Sequence, residues 1–235
     1  MKALRQLPAL IFFFFQTASG FLPKVKERGK PSHMKMSLKP AAIPLMDSGK
    51  ALARCGEILI DLTSSLNLYG GGLSAAGAQI RNSGDCVAQA AASCRFKTAG
   101  ELVCDELREG ATCLLEAADK LKLAIDEAYI DDDPALAAAM EKMADTLGKA
   151  GNDLEGAGAC IMIRLPVSEV GVKLGGCGQS LEKISKQILD LAPEQVESTE
   201  SSQRMAYAAQ KMVEAANELQ SLKKPTPKGK GWLKQ

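Results

Sequence analysis

Apolar residues recur every seven positions along several stretches of the chain, with a small residue between them. The clearest stretch is Leu73, Ile80, Val87 and Cys94, with Gly77, Gly84 and Ala91 in between. Three further stretches repeat the pattern: Val167, Leu174, Leu181 and Ile188 with Gly171, Gly178 and Ser185; Leu107, Leu114 and Leu121 with Gly110, Ala117 and Ala124; Met205, Met212 and Leu219 with Ala208, Ala215 and Leu222. This spacing is typical of helices that pack along one stripe, and small residues there let helix axes approach closely. The pattern predicts an all-α protein.

Matching pieces of sequence occur in the same order in two halves of the chain. They are LARCGEILIDL from Leu52 and LGKAGNDLEGA from Leu147, SAAGAQIRNSGDCV from Ser74 and SEVGVKLGGCGQSL from Ser168, and LLEAADKLKLA from Leu114 and MVEAANELQSL from Met212. The offsets between partners are similar, which is the mark of an internal repeat. We expect a duplicated antiparallel helical bundle with about three helices per copy, in residues 46–130 and 131–222.

Glycine and proline mark the expected ends of the helices. A break or kink is predicted at 69–72, a turn at 96–100, and the change from one copy to the next at 131–134. Pro166 is expected to separate the first two helices of the second copy, and residues 192–194 to open the last helix. A single long kinked helix in place of the first two helices of each copy remained an alternative.

The first 45 residues have the composition of targeting segments. Lys2 and Arg5 precede an apolar run at 7–15, which is too short to cross a bilayer, and small residues follow at 18–20. Residues 1–20 are therefore predicted to be a signal peptide. Residues 21–45 carry six Lys or Arg against the single Glu27 and have no helical periodicity, which predicts a transit peptide.

The junction between these segments reads Ala18-Ser19-Gly20-Phe21-Leu22-Pro23. It resembles the bipartite plastid-targeting presequences of algae with complex red-lineage plastids, in which an Ala-Ser-Ala-Phe-type motif precedes a basic segment. Here Gly20 stands in place of the second Ala. The resemblance implies import into such a plastid. The stroma or the stromal face of the thylakoid is favoured over the lumen, because the apolar run at 41–46 is too short to be the second signal that passage to the lumen would need. Plain secretion with a basic propeptide is the alternative.

Charge is distributed unevenly along the chain. Residues 46–222 contain 16 Lys or Arg and 27 Asp or Glu, whereas both ends are basic. Because phosphate binding needs a basic face, the acidic body argues against nucleic acid as a partner. No stretch after the leader offers about 18 uninterrupted apolar residues, so no transmembrane span is predicted; peripheral contact with a membrane stays open.

Candidate catalytic groups are scarce. The only histidine, His33, lies in the predicted transit peptide, so the body lacks the commonest general base and zinc ligand. The run Asp131-Asp132-Asp133 lacks the spacing of a calcium loop. Asp133 before Pro134 is better explained as a helix cap. We expect a protein that is not an enzyme, with no metal site and no cofactor, while chlorophyll or carotenoid held at an interface stays open.

Seven cysteines are the remaining reactive groups. In an antiparallel hairpin turning near residue 98, Cys94 would lie opposite Cys104, and Cys86 opposite Cys113. These two pairs are candidate disulfides. Against both forming together, Cys104 and Cys113 are nine residues apart, about half a turn out of phase on a helix. Buried, reduced thiols that act as small apolar side chains are the alternative.

Residues 223–235 form a basic tail that contains two prolines and the only tryptophan. The tail is predicted to be extended. Its candidate docking residues are Lys223, Lys224, Lys228, Lys230 and Trp232, with the tryptophan as an anchor against a partner or an anionic membrane surface. The alternative is a solvated end without a binding role.

Three classes of function follow from these observations. The first is an accessory or linker subunit of a plastid membrane complex, with a photosystem and antenna assembly as the obvious candidate and the protein subunits of a thylakoid complex as partners. The second is a soluble helical module that binds lipid or pigment, which requires unfilled space in the core. The third is a cysteine-based redox protein, which requires exposed thiols of low pKa. The sequence favours the first.

Overall fold

The computed structural model describes residues 37–66, 71–96, 100–130 and 133–222, without the side chains of 127, 129 and 130. All of them belong to one compact unit. After a short 3-10 helix, Lys39–Ala41, the six helices are α1 Ala42–Ser65, α2 Gly72–Ser93, α3 Gly100–Ile130, α4 Pro134–Met162, α5 Val167–Leu191 and α6 Val196–Ser221. No strand occurs in these residues. The predicted all-α bundle is confirmed, and the order of the helices is consistent with a duplicated three-helix arrangement.

The six helices form a closed ring. Each helix packs against the next one along the chain, and α6 packs against α1. Two buried side-chain contacts join α1 to α6: Ser48 Oγ donates to the Ala208 carbonyl at 2.8 Å, and the Cys55 and Ser201 side chains are 3.1 Å apart. In each neighbouring pair, residues near the start of one helix contact residues near the end of the other. Every helix is therefore antiparallel to both of its neighbours.

Large side chains from all six helices fill the interior of the ring. Those with no exposed surface include Leu52, Leu59, Leu73, Ile80, Val87, Leu114, Leu121, Met140, Met143, Leu147, Leu154, Leu174, Leu181, Ile184, Ile188, Met205, Met212 and Leu219. Most positions of the predicted heptad stripes are buried as expected. The exceptions are Val167, which is half-buried at the start of α5, and Leu222, which lies beyond the end of α6 and is 42% exposed.

Close backbone contacts occur within three successive helix pairs. In the pair α1 and α2, a Cβ added to Gly49 would lie 2.6 Å from the Gly84 carbonyl oxygen. In α3 and α4, a Cβ on Gly151 would lie 3.1 Å from the Ala111 oxygen, and in α5 and α6, a Cβ on Gly171 would lie 2.7 Å from the Ala216 oxygen. Helices α2 and α3 also approach closely at one point, where a Cβ on Gly72 would lie 2.8 Å from the Ala124 amide nitrogen. The ring therefore consists of three hairpins that are each closely packed.

The three hairpins repeat the same arrangement of buried positions. Leu52, Leu107 and Leu174 occupy equivalent buried positions on α1, α3 and α5, and the second helix of each hairpin also carries equivalent positions. The matching positions on the second helices are Leu73, Leu147 and Met205, then Ile80, Leu154 and Met212, then Val87, Ile161 and Leu219. Gly77 and Gly171, which align in the sequence repeat, contact different neighbours: Gly77 faces α1, whereas Gly171 faces α6.

The observed helix ends follow the predicted punctuation closely. Pro166 precedes α5 directly, and Asp133 caps α4 by accepting a hydrogen bond from the Leu136 amide at 2.9 Å. Helix α6 begins at Val196, slightly later than expected. The packed body begins earlier than residue 46, because Leu38, Ala41, Ala42 and Leu45 are all buried.

Candidate functional site

Two regions of the ring combine exposed or reactive groups. The first is the end at which α1 begins and α6 ends, called here the tail-side end because residues 223–235 follow it. The second is a cluster of thiols and carboxylates between α2 and α3, called here the thiol–carboxylate cluster and made of Cys86, Glu106, Glu109 and Cys113.

The segment immediately before α1 closes the tail-side end of the ring. Leu38 from the segment before α1 seals a void whose volume is about 10 Å³. This is near the least space that one water molecule needs. The lining comes from the starts of α1, α3 and α5 and from the ends of α2, α4 and α6: Leu38, Ala41, Leu45, Cys94, Val103, Leu107, Ile161, Val170, Leu174 and Leu219. A lipid or pigment does not fit in this space.

Exposed apolar side chains gather at the tail-side end. The residues concerned lie in the first two turns or the last turn of helices, or in connections, at this end: Ile43, Phe96, Leu102, Met162, Ile163, Leu165, Val172 and Leu222. Ile163 is 62% exposed. Such a concentration at one end is typical of a surface that contacts another molecule.

A groove of about 460 Å³ opens beside these residues, between the start of α1 and the end of α6. Its apolar part is Pro40, Ile43 and Pro44, and its polar part is mostly acidic, with Asp47, Glu214 and Glu218. Lys211 is the cation of the groove and pairs with Glu214 at 2.7 Å. The hydrogen bond from Lys211 lowers the pKa of Glu214 and keeps that carboxylate ionised.

The thiol–carboxylate cluster is built by one face of α3. Glu106, Glu109 and Cys113 follow one another at helical spacing, so they project on the same side toward α2. The Cys86 Sγ and carboxylate oxygens of Glu106 and Glu109 all lie within 4.8 Å of one another. The Cys113 thiol is a neighbour of Cys86 but lies outside this group.

Gly110 lets the two helices come close at the cluster. A Cβ at this position would lie 3.3 Å from the Cβ of Cys86. Farther along, the Gln89 amide in its donor orientation places its nitrogen 3.2 and 3.3 Å from the two carboxylate oxygens of Glu106. The carboxylate is thereby held on the α2 side.

The surroundings of the cluster are electronegative. Burial, with smaller contributions from nearby Cys113, Glu109, Glu106 and Asp85, raises the pKa of Cys86 to about 12. Burial also raises the pKa of Glu106, with help from Glu109. In the absence of a cation, the cluster therefore favours protonated thiols.

The two predicted cysteine pairs differ in the structure. Cys86 and Cys113 are neighbours, as the hairpin register predicts, and both are free thiols here. The Cys104 thiol instead contacts the backbone of Met162 on α4, and Cys94 faces the void at the tail-side end. The half-turn phase difference between Cys104 and Cys113 accounts for this, because the two residues face α4 and α2 respectively.

The remaining thiols are deeply buried. Burial raises the pKa of Cys55, Cys94 and Cys177 to about 12. A redox-active thiol needs a lowered pKa and access to solvent. The redox alternative therefore gains no support from these positions.

Burial of Cys177 predicts a loss of stability in alkali. The folded state keeps the thiol proton up to a pKa of about 12, whereas an ordinary thiol loses it near 9.0. The stabilisation is thus complete below 9.0 and declines as the pH rises toward about 12. In urea unfolding between about pH 8 and about pH 10, Cys177→Ala should lose less stability than the wild type. A nearby buried control, Ser180→Ala, should keep the wild-type slope; equal slopes for all three proteins would contradict the prediction.

Several predicted site residues lie outside the described residues. These are the presequence with His33, Asp131 and Asp132, and the tail residues Lys223, Lys224, Lys228, Lys230 and Trp232. Sequence reasoning missed Glu106 and Glu109, although their helical spacing to Cys113 was visible.

Within the described helices, none is both long and apolar enough to cross a bilayer. Comparison with protein-family models, with curated proteins and with solved structures finds no match for this chain.

Proposed function

We propose that this protein is a non-enzymatic accessory or linker subunit that docks on a protein complex of the plastid, with a photosystem and antenna assembly of the thylakoid as the leading candidate. One observation carries the proposal: exposed apolar residues and an acidic groove are concentrated at the end of the ring from which the basic tail continues. The partner class and the address rest on the resemblance of the presequence.

The filled interior supports docking over internal ligand binding. A lipid- or pigment-binding module needs space between its helices, whereas large side chains occupy the interior of this ring. The function is therefore better sought on the surface. Chlorophyll or carotenoid held at an interface with the partner is compatible with this arrangement.

The packed body also constrains the proposed presequence. Leu38 and Ala41 are buried in the ring, so cleavage after either residue would remove part of the core. We infer that a transit peptide is cleaved before Leu38 and not near residue 45. Mass spectrometry of the native protein gives its first residue directly.

The proposal predicts that a charge at the tail-side end disrupts docking. Ile163→Asp should weaken co-purification of the full chain with solubilised thylakoid complexes by 10-fold or more, because a carboxylate would be buried at the interface. The control is Val196→Asp, because Val196 lies at the opposite end of the ring and is 77% exposed. Equal binding by both variants would contradict docking through this end, and recovery of the wild type only as a free monomer would overturn the proposed function.

The tail predicts a second effect on docking. If Trp232 is the anchor, Trp232→Ala should weaken association by about 2 kcal/mol, which is close to 30-fold. The ring should remain folded, since the core of the described residues lies within 38–219. An electrostatic tail would instead make binding steeply dependent on salt and insensitive to Trp232→Ala. Unchanged binding at physiological salt would remove Trp232 from the interface.

A further inference from the structure

We propose that Cys86, Cys113, Glu106 and Glu109 form a binding site for one divalent transition-metal ion of the Zn²⁺ class, set between α2 and α3. The proposal is independent of the docking function. It rests on the type of the side chains, on their distances and on the backbone geometry that brings them together.

The ligand types suit a borderline metal ion. Zinc binds thiolates and carboxylates in tetrahedral sites, at about 2.3 Å to sulfur and about 2.0 to 2.2 Å to oxygen. Calcium and magnesium prefer oxygen ligands alone, so two thiols favour the zinc class. Two thiols and two carboxylates supply the four ligands of a tetrahedral site.

For three of the four ligands, the distances require only a small contraction. The Cys86 Sγ and the oxygens of Glu106 and Glu109 lie within 4.8 Å of one another, whereas the Cys113 Sγ lies outside this group and must rotate inward to become the fourth ligand. Ligand atoms around a tetrahedral zinc ion lie roughly 3.3 to 3.8 Å apart, from the bond lengths of such sites. Glu109 is exposed and Glu106 is half-buried, so side-chain rotation can bring their oxygens inward without moving the helices.

The backbone holds the ligands on two rigid elements. Cys86 lies within α2, and the other three residues lie on one face of α3. Gly110, between Glu109 and Cys113, leaves room for the Cys86 side chain. Gln89 supports Glu106 from outside, as hydrogen-bonding partners of metal ligands commonly do.

Binding exchanges thiol protons for the ion. Cys86 and Cys113 bind as thiolates, and their two protons pass to the solvent. The metal ion replaces the two thiol protons. Its positive charge suits the surroundings, because the neighbouring charged groups Asp85 and Glu116 are both acidic. No electron transfer is involved, so reduced protein is the binding form.

Cobalt titration of the reduced full chain tests the site. Co²⁺ should bind with a stoichiometry of one per chain, and it should give sulfur-to-cobalt charge transfer in the near ultraviolet and the strong visible bands of tetrahedral cobalt. Added Zn²⁺ should displace it. Cys86→Ser and Cys113→Ser should each reduce the charge-transfer absorption. Glu106→Gln should weaken binding by at least about 10-fold.

The controls separate this site from the other thiols and from misfolding. Cys160→Ala removes a thiol on α4, and Glu101→Gln removes an exposed carboxylate on α3; both should bind cobalt like the wild type. Glu106→Gln changes a half-buried side chain and should retain the helical circular dichroism. Absence of charge transfer in the wild type, or equal binding by Cys86→Ser, Glu106→Gln and Cys160→Ala, would overturn the proposal.

Discussion

Leu114→Ala should lower the free energy of unfolding by about 2 to 5 kcal/mol. Leu114 has no exposed surface and lies in the middle of α3, facing the interior of the ring. Its removal leaves a cavity that the surrounding helices cannot close, because each is fixed between two neighbours. Urea unfolding followed by circular dichroism measures the loss.

Leu123→Ala is the matched control for that change. Leu123 is on the same helix, and 56% of its surface is exposed. Exposed substitutions of this kind usually alter stability by less than about 0.5 kcal/mol. If the two variants lost equal stability, Leu114 would not face a packed interior.

Gly84→Ala should destabilise the protein by about 3 kcal/mol, although alanine favours helix. A Cβ at this position would lie 2.5 Å from the Gly49 carbonyl oxygen and 2.8 Å from the Ala53 Cα. Both obstacles are backbone atoms of α1, so the helices must move apart, and overpacking of this kind costs about 1 to 3 kcal/mol. The loss should fall in the upper part of that range, because no side chain can rotate away.

Gly148→Ala, also within a helix, provides the opposite case. Apart from the backbone of its own helical turns, no atom lies within 4 Å of a Cβ added there. The better helix propensity of alanine should therefore stabilise the protein by up to about 1 kcal/mol. Thermal unfolding should move the two melting temperatures in opposite directions, and a stabilising Gly84→Ala would contradict the close contact between α1 and α2.

The fold was predictable because its elements depend on local sequence. The heptad stripes identified the buried side of the helices, and Asp133 followed by Pro134 marked the start of α4. It was harder to predict which helix each close contact would involve. Gly77 and Gly171 occupy equivalent places in the sequence repeat, yet one faces the preceding helix and the other the following helix. A small residue shows that a close approach occurs but not which helix makes it.

The candidate sites were predictable only in part. The hairpin register brought Cys86 and Cys113 together, whereas Cys104 faces α4 because of its phase on α3. The roles of Glu106 and Glu109 depend on the rotation of α3 relative to α2, which periodicity gives only approximately. The groove combines residues about 170 positions apart, such as Pro44 and Glu214. A local sequence pattern does not predict that such distant residues lie together.

Closure of the ring by α1 and α6 also has a consequence for how the chain folds and how it can be reconnected. The contact between Ser48 and Ala208 joins residues 160 positions apart, so it forms only after the intervening helices have been placed. Closure is therefore expected late in folding, since long loops carry the larger entropic cost. Because α1 starts at the end of the ring where α6 stops, a linker from 222 to 38 and new termini between α2 and α3 should give a circular permutant with the same helix neighbours.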